Sequence, residues 1–208
     1  MEENKNQPIS FAERISKILK VTQQEVEELA VQFSLGKAEA ASKFEEIKKD
    51  FNVKSNEWKN SFAKTGEAGQ EAFTKMKSKL EELQLQLSLG KADGKDYFEE
   101  QRKKIVNSIH EFQSEYKSNP EWNEKLGEFN EEVEKFKLKL EILKMKFEDK
   151  SFKVKEGFQK EMLNAKIEIE QFLSKAEVEF DKAGKKYSNF SEEISSVYNH
   201  LKNAVKKL

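Results

Sequence analysis

The sequence predicts an all-α protein, with long amphipathic helices arranged as antiparallel coiled-coil hairpins or an elongated helical bundle. Three observations carry this expectation. First, apolar residues recur every eleven positions: Phe136, Phe147, Phe158, Ile169 and Phe180; Phe51, Phe62 and Phe73; Met76, Leu87, Phe98 and Ile109. Eleven residues make three turns at about 3.67 residues per turn, so such a stripe stays on one face of a nearly straight helix. Second, the only prolines are Pro8 and Pro120, which leaves 9–119 and 121–208 free of the strongest helix breaker. Third, the chain repeats itself.

Gln32-Phe-Ser-Leu-Gly-Lys-Ala38 returns as Gln86-Leu-Ser-Leu-Gly-Lys-Ala92, an offset of 54, and Phe-Glu-Glu follows both. Lys79-Leu-Glu-Glu-Leu-Gln-Leu-Gln-Leu87 returns as Lys139-Leu-Glu-Ile-Leu-Lys-Met-Lys-Phe147, and Ser55-Asn-Glu-Trp58 as Ser118-Asn-Pro-Glu-Trp122. A recurring unit of this length suits an array of helical hairpins.

The elements follow in order. Residues 1–9, polar and holding Pro8, are expected to be disordered, and 10–208 to form a single elongated helical domain with repeats over 10–64, 67–117 and 120–183 and a final helix over 189–207. The first helix, 10–35, starts at the capping-box spacing Ser10-Phe-Ala-Glu13 and stops at Gly36. Gly36 and Gly90 both suit the position just past a helix end, where φ is positive. The second helix, 42–64, starts at Ser42-Lys-Phe-Glu45, where the serine accepts from a backbone N–H and the glutamate reaches back. Thr65-Gly66 separates it from the third, 67–89. The fourth, 96–117, starts at Asp96-Tyr-Phe-Glu99. Asn119-Pro120 begins the fifth, since proline is favoured at the first helical position. The third joint has no glycine at the matching place, and Val154 keeps the stripe. The fifth helix is therefore expected to run unbroken to 183, roughly 96 Å at the helical rise. Asn189-Phe-Ser-Glu192 opens the sixth.

Phe136-Lys-Leu-Lys-Leu140 and Leu83-Gln-Leu-Gln-Leu87 alternate like strands, but their flanks have helical period. Leu138, Ile142 and Met145 add a second apolar row beside Phe136, Leu140, Leu143 and Phe147. A helix apolar on two sides sits between neighbours, so 130–148 is the expected centre of the core.

Composition narrows the function. Hydrophobic residues are 36% and charged residues 37%, against roughly 45–50% and 25% in ordinary domains, which suits thin layers of helices. Net charge is −1 and only Arg14 and Arg102 among the basic residues are arginine; phosphate and base recognition favour arginine forks and a basic face, so no nucleic-acid partner is expected. The chain has no cysteine, hence no disulfide and no thiolate metal site. No secretory signal opens it and no apolar run would span a membrane, so a cytoplasmic location and no transmembrane segment are expected. Lys206-Lys207-Leu208 is a poor match to a peroxisomal address. Without a signal the sequon Asn189-Phe-Ser191 would stay unused.

No catalytic, cofactor or metal site is expected. His110 and His200 are the only histidines, and Asn107 and Val197 stand where a helical di-metal site would place glutamate. Asp93-Gly-Lys-Asp96 lacks the alternation of a calcium loop. Glu45-Glu46, Glu99-Glu100 and Glu192-Glu193 read as one capping and one solvated residue each, because neighbours on a helix face apart. Trp58 and Trp122 read as packing anchors near turns.

The expected function is a non-enzymatic structural or interaction protein, a coiled-coil scaffold or spacer, whose partner is a second copy or another helical protein. The eleven-residue stripes, with phenylalanine and leucine on one face and lysine on the other, resemble in their periodicity the exchangeable apolipoproteins, perilipins and granule-coating phasins. That resemblance covers most of the chain without a specific motif. It implies the alternative, helices lying on a lipid or granule surface with their apolar faces inserted.

Overall fold

Helical periodicity governs the whole computed structural model, which describes residues 11–36, 38–63, 70–90, 94–116, 123–148, 152–180 and 190–208. Seven helices occur among these residues: α1 (Phe11–Ser34), α2 (Ala40–Ala63), α3 (Gln70–Ser88), α4 (Lys95–Tyr116), α5 (Asn123–Glu148), α6 (Glu156–Phe180) and α7 (Ser191–Lys206). The expected disordered segment 1–9, and the signals at Ser10, Thr65-Gly66, Asn119-Pro120, Trp122 and Asn189, lie outside the described residues.

The unbroken helix over 120–183 is not formed. α5 ends at Glu148, residues 152–155 are non-helical, and α6 begins at Glu156. Phe152 turns inward and meets the ring of Phe33 edge-on at 6.0 Å, and the Val154 N–H donates to Ser34 Oγ at 3.2 Å. The chain thus leaves α5 across the end of α1. Phe136 on α5 and Phe158 and Ile169 on α6 are buried on either side of the break, each on its own helix. The eleven-residue register does not require one rod.

Two helix starts also differ from expectation. α2 begins at Ala40, so Ser42 lies inside it and the first backbone bond runs from Lys43 N–H to Glu39 C=O. Ala40 and Ala41 are strong helix formers and extend the helix backwards. α4 begins at Lys95, with Phe98 N–H bonded to Gly94 C=O, which places Asp96 in the first turn. There its charge favours the helix through the macrodipole. At α7, Phe190 occupies the cap position without a side-chain cap bond. Phe190 is buried and packs edge-on against Phe172 at 5.5 Å.

Successive helices alternate in direction. Contacts in which residue numbers rise together mark parallel neighbours: Arg14 with Glu128, Glu25 with Lys139 and Phe33 C=O with Lys146 join α1 to α5. Contacts in which they run oppositely mark antiparallel ones: Phe51 with Phe136 and Trp58 with Phe129 join α2 to α5, and Arg102 with Glu141 and Gln113 with Asn130 join α4 to α5. α2 packs on α3, α3 on α4, and both α2 and α4 on α5, closing one four-helix group. α1 packs on α6, α6 on α7, and both α1 and α7 on α5, closing a second. α5 belongs to both.

That sharing explains the two apolar rows of α5. Phe129 and Phe136 meet α2, and Phe129 and Phe147 meet Phe112 and Phe98 of α4. Leu138 and Ile142 lie on the face of Glu131, whose carbonyl meets Tyr198 of α7. Both rows are buried through Leu143; beyond it the helix becomes half-buried and ends exposed at Glu148. Leu138, Ile142 and Leu143 each contribute roughly 1.5–3 kcal/mol by leaving water. The stripes elsewhere are interior too: Phe51, Phe62, Met76, Leu87, Phe98, Ile109, Phe158 and Ile169 are buried, while Phe73 and Phe147 are half-buried.

The repeated joints are not equivalent. Gly36 has φ +67, as its sequence position requires, whereas Gly90 does not take a positive φ. Gly90 follows Leu89, whose N–H bonds Gln86 C=O in a last tight turn. A Cβ would meet open space at either glycine, so backbone conformation alone sets the cost. Gly36→Ala is expected to destabilise the protein by about 1–2 kcal/mol, and Gly90→Ala to be neutral or stabilising by up to about 1 kcal/mol. Urea unfolding of the two variants measures the contrast; equal losses would contradict it.

Candidate functional site

α1 and α2 reverse direction at 35–39 but do not close on one another. Both lean on α5, and the space between them is a cleft along the seam of the two four-helix groups. Ile47, Phe51 and Phe136 form an apolar floor, with the rings of Phe51 and Phe136 stacked at 4.2 Å and 18°. The main cavity holds about 340 Å³, and a second of about 210 Å³ adjoins it through Glu25, Ile47, Asp50 and Lys139.

Charged side chains stand over this floor. Lys139 Nζ lies 2.5 Å from Glu25 Oε2, and Lys135 Nζ 2.6 Å from Glu132 Oε2. Lys54 bonds Glu57 at 2.8 Å; that hydrogen bond holds the ammonium above its ordinary pKa against partial burial. Asp50, at the mouth shared by both cavities, has no ion pair among the described residues. Most of these charged groups are already engaged with one another.

Two buried polar contacts hold the surrounding helices. Lys48 is 1% exposed, yet it donates to Leu89 C=O at 2.7 Å and to Gln101 Oε1 at 2.9 Å, lies 2.9 Å from Glu45 Oε1, and sits over the Phe44 ring. Gln101 Nε2 donates to Gly90 C=O at 2.5 Å. One lysine of α2 and one glutamine of α4 therefore satisfy carbonyls that the end of α3 leaves without helical partners. In the other group, the buried Tyr198 hydroxyl donates to Glu131 C=O at 3.0 Å; burial pushes the phenol well above its ordinary pKa. Burial opposes ionisation of Glu134, but bonds from Lys202 and Lys137 override it and hold the carboxyl below its ordinary value.

The residues singled out in the sequence do not converge. His110 is exposed on α4. His200, on α7, has Nδ1 2.8 Å from Glu161 Oε2 and Nε2 3.3 Å from Glu168 Oε1, both on α6. Among the described residues no cluster of three or more histidine, aspartate and glutamate side chains is arranged for a metal ion, and no helix is long and apolar enough to cross a membrane. Members of the glutamate pairs form ion pairs: Glu45 with Lys48, Glu46 with Lys43, Glu99 with Arg102, Glu100 with Lys104 and Glu193 with Lys175. Trp58 packs edge-on between Phe51 and Phe129. Sequence reasoning missed Lys48 and the cleft. For Lys48 the signal was its place between Phe44 and Phe51, one residue from Ile47, on the inward side of α2. No protein-family profile, curated protein or solved structure matches the chain.

The α6–α7 contact carries a pH dependence. Hydrogen bonds from Lys207 and His200 lower the Glu161 carboxyl from 4.5 to about 2. A depressed carboxyl stabilises the fold above its unfolded pKa and loses that contribution as pH falls through the folded value. The melting temperature of the wild type should therefore exceed that of Glu161→Gln at neutral pH, and the gap should close between pH 4.5 and about 2. A gap independent of pH across this window would contradict the assignment.

Proposed function

We propose that the chain is a non-enzymatic structural and interaction protein, a self-contained helical scaffold or spacer that engages other proteins through its outer helix faces. One observation supports this above others: the apolar stripes are already used inside the bundle. Leu83, Leu143 and Phe158 are 0%, 0% and 1% exposed, so the faces that would enter a lipid layer have protein neighbours. The large apolar residues left outside are dispersed: Leu35 follows α1, Leu85 lies on α3, and Leu163 and Ile167 are neighbours on α6; exposed apolar residues in ones and twos are ordinary. The eleven-residue register then serves long, coiled-coil-like packing. Most of the charged groups lining the cleft are paired carboxylates and ammoniums, which suit recognition and not proton transfer.

The lipid- or granule-surface reading keeps one specific support. α6 and α7 pack most extensively on each other, and α7 is tied to α5 through the polar contacts of Tyr198 with Glu131 and Lys202 with Glu134. Release of that pair would uncover Met162, Ile169, Val197 and Leu201, all buried, on amphipathic helices of the kind that lie in a membrane interface.

Density flotation with neutral and anionic liposomes, run beside thermal melting, separates the two. The scaffold reading predicts that wild-type protein stays at the bottom of the gradient. It also predicts that Leu143→Asp, which buries an unpaired charge, costs more than about 4 kcal/mol and abolishes the cooperative melt. Flotation of the wild type, with Leu143→Asp retaining solution helicity but losing flotation, would replace the scaffold reading with the lipid one.

A further inference from the structure

Each stretch of sequence between successive helices holds a helix-breaking residue, with one exception. Gly36, Gly66, Gly90, Pro120 and Gly184 stand in the other five. Between the end of α5 at Glu148 and the start of α6 at Glu156 the sequence is Asp149-Lys-Ser-Phe-Lys-Val-Lys155, without glycine or proline. All of these residues enter a helix interior at small cost, as glycine and proline do not. The eleven-residue phase alone does not set this joint apart, since Leu87 and Phe98 keep it across Gly90 and Gly94. There, however, the inward positions of a continued helix would fall on Lys91 and Gly94. Between α5 and α6 they fall on Ser151 and Val154. Phe152 in turn stands seven residues after Met145, which stands seven after Leu138. Seven residues are close to two turns, so a continued helix would extend both apolar rows of α5.

Tertiary contacts, not local sequence, hold 152–155 out of a helix. The buried Phe152 ring meets Phe33, and Val154 N–H donates to Ser34 Oγ at 3.2 Å. Both partners belong to the end of α1. Lys155 C=O already accepts from the N–H groups of Phe158 and Gln159, so about two further turns would join α6 to α5. α7 pairs with α6 in the opposite sense, Glu161 with Lys207, Glu168 with His200 and Lys175 with Glu193. It pairs with α5 in the same sense, Tyr198 with Glu131 and Lys202 with Glu134. α6 therefore runs antiparallel to α5. A fused α5–α6 rod would carry α6, with α7 bound to it, away from α1 and α5 of its own chain. Glu131 and Glu134 would lose their α7 partners, and Tyr198 and Lys202 their α5 partners. The surface that fits the departing pair is the seat vacated in an identical molecule. Two rods related by a two-fold axis run antiparallel, and each α6–α7 pair then reaches the other copy's seat.

We infer that the joint between α5 and α6 is a loop-to-helix switch, and that its helical form makes a dimer of this chain in which the α6–α7 pairs are exchanged. This rests on the interaction-protein reading and names a second copy as a partner. Exchange keeps the apolar stripes covered by protein. What differs between the two forms is the joint. The folded-back form keeps Phe152 on Phe33; the rod gains the backbone hydrogen bonds of about two turns and sets Phe152 in line with Leu138 and Met145. Mass action then favours the dimer as protein concentration rises.

Glu156→Pro separates the two forms. Glu156 is the first residue of α6, where proline is favoured, and Lys155 before it is non-helical, as a residue preceding proline prefers. In a rod the same proline would interrupt the helix. The full chain is unfolded in urea, refolded at low-micromolar and at near-millimolar concentration, and its mass read by analytical ultracentrifugation. The wild type should be monomeric after dilute refolding and dimeric after concentrated refolding. Glu156→Pro should melt as the wild type does and dimerise at least about a hundredfold more weakly. Ser34→Ala, which takes the acceptor from Val154 N–H, should dimerise at least about threefold more tightly. Nitroxides on the double variant Glu141→Cys, Glu170→Cys, in a chain with no other cysteine, read the joint directly after dilution into unlabelled protein. In the dimer they should lie roughly 44 Å apart along one helix, and much closer in the monomer, where α6 turns back. A wild type monomeric after both refoldings would overturn the proposal. So would a dimer that Glu156→Pro leaves intact, or one whose spin pair keeps the monomer's distance, since either assigns association to another surface. If Glu156→Pro melts below the wild type, Lys153→Gly, Lys155→Gly, at two exposed positions, takes its place in the same comparison. A monomer with a cooperative melt and no liposome flotation leaves the scaffold reading standing.

Discussion

The burial of α5 on two sides is the constraint from which the rest of the arrangement follows. A helix with one apolar stripe can close one bundle; a helix with two must be enclosed from two directions. Phe129, Phe136 and Phe147 hold α2 and α4, while the face carrying Leu138 and Ile142 meets α1 and α7. Every other helix can then keep a solvated face rich in lysine and glutamate. This accounts for a chain with as much charge as apolar content that still encloses its stripes. It also creates the cleft, because α1 and α2 are each drawn to α5 more than to one another.

Most of the helical content, and the special role of 130–148, was legible in the sequence. Periodicity needs only the pattern of apolar residues, and Leu138 and Ile142 displaced from the main row could be satisfied only by a second layer. The third joint was misjudged for a definite reason. Periodicity measures which side of a helix is apolar and is blind to whether two helices in phase are connected by helix or by loop. The internal repeat held the better signal. Lys79–Leu87 matches Lys139–Phe147, and α3 ends at Ser88 as α5 ends at Glu148. A unit that turns twice turns a third time, here without a glycine and with Phe152 packed against Phe33.

Caps and polar interior contacts were less legible because they depend on tertiary partners. Ser42 and Asp96 fit the capping pattern, but Ala40-Ala41 and Lys95 continue the helices past them. Lys48 resembles dozens of surface lysines in composition. Only the arrival of Leu89 C=O and Gln101, far along the chain, makes its burial favourable, since a buried ammonium needs all its donors engaged. The cleft is likewise a property of how three helices lean together, and no local pattern encodes it.

Native-state hydrogen exchange tests the central claim most directly, because it ranks the helices by the free energy needed to open them. If α5 is the helix both groups share, its amides from Phe129 to Leu143 must exchange most slowly of all, and only through unfolding of the entire chain. α3 and α6, which do not pack extensively on α5, must open at lower free energy. Exchange of α5 as fast as that of α3, or its opening together with one group while the other stays protected, would contradict the shared-helix architecture.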